Sequence, residues 1–411
     1  MRIAVINSNA QIAGGIETYL DRVIPALAAR GDHVALLCDY GSSAGPARIA
    51  PEVDMPVWAT SAIGADRAIA AARQWRPDLV FAHGLANPAH EAALAEIAPA
   101  VFFAHDYRAT CVSGLKRFGA PAERPCARRL GPGCLPRFFP RRCGGMNPLT
   151  MFADYRRAAA RLSALARYRA VITASRHMRA ELTHHGLAAE FYCVELPLAN
   201  DDAPENVGQS NGAPPSRILF AGRMEPVKGG HLLIEAAALA AAALDRPLTL
   251  IMVGDGPERP RWERLATAAT RREPRLRIIF DGWRARAEMA ARFDNADVLA
   301  MPSVWPEPFG MTGLEAGTRS VPACAFALGG IPEWLEDGVN GHLAPANPPR
   351  AAAFAAALVK CLADPQAYQR MRAGALTAAR RYSMADHLEA LDAVFARVVD
   401  TGDAGDRVRL N

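Results

Sequence analysis

No stretch of the chain approaches the eighteen or so uncharged apolar residues that a membrane-crossing helix needs. The nearest run, Ala236–Leu244, is alanine-rich and is closed by Asp245 and Arg246, so it reads as a helix of a packed interior. Met1–Ile6 is apolar, but Asn7, Ser8 and Asn9 stop it short of a signal-peptide core. The expected location is therefore the cytoplasm. There is no C-x-x-C pair, the usual mark of a zinc knuckle. There is no G-x-G-x-x-G, so a dinucleotide cofactor is not expected. No D-x-D closes an apolar run, no RNA-binding module is recognisable, and no internal repeat appears beyond the kinship of two similar halves.

What the chain does have is length for two domains of ordinary size, 411 residues, with 51% hydrophobic and 22% charged content. The net charge of +5 hides an asymmetry. Tyr107–Arg169 carries fourteen Arg and Lys against Glu123 and Asp154, a net of +12, so the remainder is acidic. So local a basic block reads as a surface for anionic partners. Eight cysteines in a reducing compartment are thiols or metal ligands before they are disulfides.

Ile3–Ile6 reads as a strand, Asn9–Gly15 as a turn-rich loop and Ile16–Ala29 as an amphipathic helix stopped by Gly31. Strand, glycine loop and helix form the arrangement that brings backbone amides close to a phosphate, with Gly14 and Gly15 giving the close approach. Val34–Leu37, Leu79–Ala82 and Val101–Ala104 read as further strands. The last runs into His105 and Asp106, at a carboxyl end where parallel sheets bind ligands. Cys111, Cys126, Cys134 and Cys143 follow among Gly, Pro and Arg, in a segment too irregular for a helix. Their spacing leaves thiols, a metal site and disulfides all open. Pro148–Arg169 reads as a helix with Arg156, Arg157, Arg161 and Arg167 beside Leu149, Met151, Phe152 and Tyr155. For the helix alone an ordinary solvated face serves as well; with the aromatic, basic run Leu135–Arg142 added, the balance moves toward an anionic lipid surface and a lipid-linked acceptor.

Asn200–Ser216 is the clearest linker. Arg217–Phe220 then opens a second domain, followed by Arg223 and Lys228, a planar fork and a point charge that both suit a diphosphate. Ala296–Met301 reads as a buried strand leading through Pro302, Pro306 and Pro308 into a helix that opens near Gly310, Met311 and Thr312. Free amides of that first turn make an anion site. Glu307 and Glu315 flank it, about 12 Å apart if the whole offset ran at helical rise. That spacing suits the two ends of a nucleotide-sugar better than the carboxylate pair of a glycosidase, which needs about 5 to 9.5 Å.

Glu307 and Glu315, with seven residues between, resemble the E-x7-E motif of retaining glycosyltransferases of GT-B fold, family 4. Other pieces fall in that family's order: Gly14–Glu17, His105–Asp106, Phe220–Arg223 with Lys228–Gly229, Val253–Pro257 and Gly329–Glu333. The chain departs from the pattern after Glu315, where Gly317 and Ser320 stand before Pro322 and are expected to loosen the helix. The resemblance implies an α/β, GT-B architecture of two Rossmann-like, doubly wound domains facing across a cleft. Residues 1–200 form the acceptor side, with a Cys/Arg-rich insertion at about 107–147. A linker at 201–215, a donor domain at 216–381 and a helix at 382–399 crossing back would follow, ending in a frayed tail from Asp400.

It further implies transfer from a nucleotide-diphospho-sugar to a saccharide or polyprenyl-linked acceptor, with no cofactor and no metal, and no nucleic acid as partner. Arg223, Lys228 and the amides at Gly310–Thr312 would steady the departing diphosphate. Glu307 and His105 would hold the sugar, Glu315 the ribose, and Asp106 would orient His105 or touch the acceptor. The loop Asp281–Trp283 would lie beside the base. Alternatives are an epimerase or phosphorylase on the same fold, separable by donor turnover with and without acceptor. A non-catalytic protein binding anionic lipid or RNA would instead show steep salt dependence without donor turnover.

Overall fold

Apolar runs with almost no polar interruption become parallel strands when both faces of a sheet are covered. The computed structural model describes residues 1–41, 48–198 and 214–408; the expected linker lies almost wholly outside them. In the first half the strands are β1 (Arg2–Asn9), β2 (His33–Tyr40), β3 (Val57–Ala59), β4 (Leu79–Gly84) and β5 (Ala100–Ala104). A two-residue ribbon follows, β6 (Arg117–Phe118) and β7 (Arg124–Pro125), then β8 (Ala170–Thr173) and β9 (Glu190–Cys193). Seven of them form one sheet in the order β3-β2-β1-β4-β5-β8-β9, parallel throughout.

The second half builds another all-parallel sheet from β10 (Arg217–Ala221), β11 (Leu248–Val253), β12 (Leu276–Gly282), β13 (Val298–Met301), β14 (Ala323–Phe326) and β15 (Gly341–Ala344). Its order is β12-β11-β10-β13-β14-β15, again parallel. In both sheets the order reverses beside the first strand of the half, so the carboxyl ends there form a crevice.

Helices cover both faces. Gly15–Ala29 seals the first sheet with Leu20, Val23, Ile24 and Leu27, all fully buried; each contributes roughly 1.5–3 kcal/mol. Gly230–Leu244 does the same for the second sheet with Leu233, Ile234, Ala237 and Ala241. The helix Met384–Val408 runs past the expected end at Val399, so the tail expected to fray from Asp400 is helical. It lies on the first sheet: Phe395 packs edge-on to Phe81 at 5.1 Å, and Arg30 pairs with Asp392 at 2.6 Å.

The insertion after β5 is mostly loop, as its composition suggests, with only the β6–β7 ribbon and single turns at Pro132–Cys134 and Leu135–Phe138. Cys111, Cys126, Cys134 and Cys143 are free thiols. Burial and the neighbouring thiols push Cys143 up to about 12. Among the described residues no three His, Cys, Asp or Glu stand in a metal-holding group. The basic helix ends at Ala164 rather than Arg169, continuing as a 3-10 turn through Arg167.

Two glycines decide how the second half closes. Gly229 caps the helix Gly230–Leu244 in the left-handed conformation, φ +67°. A Cβ there would lie 1.9 Å from the Pro302 carbonyl oxygen. Gly317 is the last residue of the helix Met311–Gly317, and it packs against the helix Pro365–Ala379. A Cβ on it would stand 2.9 Å from Ala375 O. Ser320 takes the positive φ (+55°) that turns the chain toward β14. Gly229→Ala combines left-handed strain of about 1–2 kcal/mol with displacement of the Pro302 turn. It is expected to destabilise by at least about 2 kcal/mol, read as a lowered denaturant midpoint; a change within about 0.5 kcal/mol would contradict the packing described.

Candidate active site

The carboxyl ends of β10 and β13 are neighbours, and the turns that leave them are stitched together. Val304 N–H donates to Val227 O at 2.9 Å, and Gly229 rests on Pro302. This brings Lys228 to Glu307: Nζ donates to Oε1 at 2.7 Å, and Ser303 Oγ donates to the same oxygen at 2.6 Å. Glu307 is buried. Burial alone would raise its pKa, but Lys228 and the Ser303 hydroxyl outweigh that and hold the carboxyl below its ordinary value. Lys228 also stands over the Trp305 ring, 5.6 Å from its centre. Arg223, on the same edge, is largely exposed and paired with Glu225 at 3.0 Å.

The turn carrying Glu307 is braced from behind. Gly330 N–H donates to Glu307 O at 2.8 Å, and Trp334 Nε1 donates to Phe309 O at 2.7 Å. Gly329 and Gly313 leave no room for a Cβ against Glu307 and Trp334 respectively. Two glycine motifs that look separate in sequence are thus one scaffold. Gly310 is left-handed (φ +90°), and the helix starts at Met311 with Thr312 in its first turn. Only Met311–Glu315 rises helically, so the 12 Å read from eight helical residues does not apply: residues 307–310 are a turn. Glu315 faces the other half, where Arg22 Nη2 donates to it at 2.9 Å. It also borders a hollow of about 70 Å³ with Arg286, Phe293 and Thr318.

Further contacts join the halves. Ser175 caps the helix Arg176–His184 through Met178 N–H and donates to Pro308 O at 2.6 Å. Glu333 accepts the Arg176 and His177 amides of the same helix start at 2.9 and 2.8 Å, a carboxylate placed where the helix dipole favours it. Glu123 of the insertion reaches His231 at 3.0 Å.

On the facing side Gly14, exposed and extended, precedes the helix that Gly15 begins. Glu17 folds back under the loop and accepts from Asn7 and Asn9 at 3.1 and 3.3 Å. A cavity of about 60 Å³ lies there, bordered by Asn9, Glu17, His83, His105, Asp106 and Arg108. Asp106 does not orient His105. Its carboxylate takes the Arg108 backbone and guanidinium N–H groups at 2.8 and 2.6 Å, the short local turn that aspartate favours. His105 Nε2 instead meets His83 Nδ1 at 2.8 Å.

Behind them Tyr19 and His387 tie the crossing helix down. His387 Nδ1 lies 2.7 Å from Glu195 O, a pure acceptor, so Nδ1 carries the proton. Nε2 therefore accepts from Tyr19 O–H at 2.9 Å. Burial holds all three imidazoles below their ordinary value: His83 well below, His105 near 3 and His387 near 4. Sequence reasoning passed over His83, Arg22 and His387, which leave no local signal. It reads Ser175 as a helix cap, which the structure bears out, and Glu17 only as the end of the Gly14–Glu17 piece.

Two family models match the chain. "Glycosyltransferase Family 4" covers residues 13–138 and "Glycosyl transferases group 1" covers 205–377. Together they support a glycosyltransferase family of GT-B fold. Among solved structures, that of Anabaena Alr3699/HepE in complex with UDP and glucose superposes with TM-score 0.67 at 18% identity, covering 97% of this chain and 100% of that one. Sucrose-phosphate synthase from Thermosynechococcus elongatus gives 0.68 at 17%, covering 97% and 99%. At such identity these likenesses speak to the fold, which is GT-B. Among curated relatives, the D-inositol 3-phosphate glycosyltransferase of Corynebacterium glutamicum (strain R) is 34% identical over 197 residues, 45% of each chain. That of Streptomyces bingchenggensis (strain BCW-1) is 32% identical over 214, 48% of this chain and 46% of the relative. The chain spans just under half the length of the curated relatives it matches.

Three neutral buried imidazoles have a consequence for stability. In the unfolded chain they take up protons near their ordinary value of 6.5, while the folded chain excludes them until far lower pH. The unfolded state therefore binds more protons below about 6.5, and stability falls as pH drops from 7.5 to 5.5. Denaturant midpoints at the two pH values are expected to show this, with a shallower dependence in His387→Gln. A midpoint independent of pH would contradict the neutral assignment.

Proposed function

We propose that this chain is a retaining glycosyltransferase. It would move a sugar from a nucleotide-diphospho-sugar to a saccharide or lipid-linked acceptor in glycan or exopolysaccharide assembly. The observation that carries the reading is the Lys228–Glu307–Ser303 cluster at the carboxyl edge of the second sheet, with the His105 cavity at the carboxyl edge of the first. Anabaena HepE was solved with UDP and glucose, so uridine donors are the first to try.

In this reading Lys228 and Arg223 receive the diphosphate with the amides of Met311 and Thr312. Lys228 is already aligned by Glu307, so little reorganisation is needed as charge grows on the leaving group. Glu307 holds sugar hydroxyls, and Glu315 exchanges its Arg22 contact for ribose hydroxyls. The exposed Trp283 ring at the end of β12 offers a stacking face for the base. Gly14 and Gly15 let the facing loop approach the donor, His105 faces the donor sugar opposite Glu307, and Asp106 borders the acceptor. A phosphate oxygen of the donor takes the acceptor's proton, so no protein base is required. Two cations supply the charge that a divalent metal would otherwise bring, so transfer is expected to survive chelation.

A thermal-shift series of nucleoside diphosphates and their sugars is expected to single out one base. Lys228→Ala is expected to lower kcat about 10²-fold or more, with a smaller change in KM. Failure of every nucleotide to raise the melting point, or full transfer by Lys228→Ala, would sink the assignment.

We further propose that the enzyme works at the cytoplasmic face of an anionic membrane. Met146, Leu149 and Phe152 are 74%, 80% and 50% exposed. They recur every third residue, with exposed Arg142, Arg156 and Arg157 near them. Exposed apolar side chains with arginines close by in sequence match the lipid interface. Sedimentation with anionic but not neutral vesicles is expected. Leu149→Glu with Phe152→Glu is expected to weaken binding about tenfold, roughly 1.4 kcal/mol; equal binding to both vesicle types would refute it.

A further inference from the structure

His83 borders the same cavity as His105, yet the mechanism above gives it no task. It is the penultimate residue of β4 and is 5% exposed. Phe81 packs edge-on to its ring at 4.4 Å, with Phe103 and Tyr19 at 6.1 and 5.7 Å. The ring therefore has one seat. Its Nδ1 meets His105 Nε2 at 2.8 Å, and its Nε2 is buried without a hydrogen-bond partner.

Both rings are neutral, so one proton serves the contact, and two arrangements exist. If His105 Nε2–H donated, His83 would carry its own proton on Nε2, a buried N–H with nothing to receive it. If His83 Nδ1–H donates, the buried Nε2 is a bare lone pair. Buried orphan N–H donors are the rarer case in proteins, and an under-used acceptor costs less. The second arrangement wins. It leaves Nε2 of His105 as acceptor and puts the proton of His105 on Nδ1.

We propose that His83 is a positioning residue: it locks His105 as the Nδ1–H tautomer, so that His105 enters the cleft as a hydrogen-bond donor to a sugar hydroxyl oxygen. The proposal rests on the reading of His105 as a sugar-facing group. The lock itself exists in the free protein, so it can be judged without activity. Free imidazole side chains favour the Nε2–H form, and the opposite tautomer is the one a fixed donor at His83 would select.

The test is a long-range proton–nitrogen spectrum of the full chain labelled at histidine, with His105→Gln to assign the resonance. His105 is expected to show a protonated Nδ1 and a bare Nε2. In His83→Phe it is expected to shift toward Nε2–H, with kcat down about tenfold and the donor KM within twofold. His83→Asn keeps an N–H at the Nδ1 position and is expected to restore the tautomer, which serves should the Phe variant not fold. An Nε2-protonated His105 in the unaltered protein, or an unchanged tautomer in His83→Phe, overturns the proposal. If no transfer is found with any donor while the tautomer result holds, the enzyme reading has failed and the positioning has not.

Discussion

Lys228 and Glu307 meet only because two turns interlock, and much of the cleft depends on that interlock. A half-buried ammonium meets a buried carboxylate at 2.7 Å, and removing the ammonium strands the carboxylate's charge. The backbone enforces the contact. Gly229 lies against Pro302 with no space for a side chain, and the Val304 amide is tied to Val227. Strand order supplies the rest: β10 and β13 are adjacent at the place where the order of the strands reverses. A cation far along the chain from its carboxylate thereby behaves as a local pair.

The same scaffold explains how the two halves share one cleft. Glu333 follows the glycines that brace the Glu307 turn, and it also caps a helix of the first half. Ser175 works in the opposite direction, capping its own helix while holding the Pro308 carbonyl. Glu333 reaches from the second half to amides of the first, and Ser175 serves a group in each half, so loss of either leaves helix-start amides or a carbonyl without a partner. These contacts are small and polar, the kind that open and close at modest cost. Arg22 on Glu315 belongs with them, because it too joins a side chain of one half to a side chain of the other.

How much of this was legible beforehand differs by kind of information. Strands such as Ile3–Ile6 and Val101–Ala104 announced themselves as uninterrupted apolar runs, because parallel strands are covered on both faces. The short edge strands Val57–Ala59 and Glu190–Cys193, with half-buried faces, carry no such run and left no signal. Glycine motifs showed that something comes close, but not what. That Gly330 serves Glu307 is a fact of folding across twenty-three positions. The eight-residue offset from Glu307 to Glu315 misled, since distance along a chain becomes length only where the helix is continuous.

Histidines make the sharpest case. His105 was visible because it ends a strand beside an aspartate, and the obvious inference was that the aspartate serves it. Asp106 instead follows its own local preference and closes a turn on Arg108, leaving the imidazole to a neighbour strand. β4 and β5 are adjacent and parallel, and their registers bring the carboxyl ends level, which sets His83 beside His105. A pairing of that sort is written in sheet order rather than in sequence neighbourhood. The role of a cleft residue is thus decided by what its strand's neighbour places behind it.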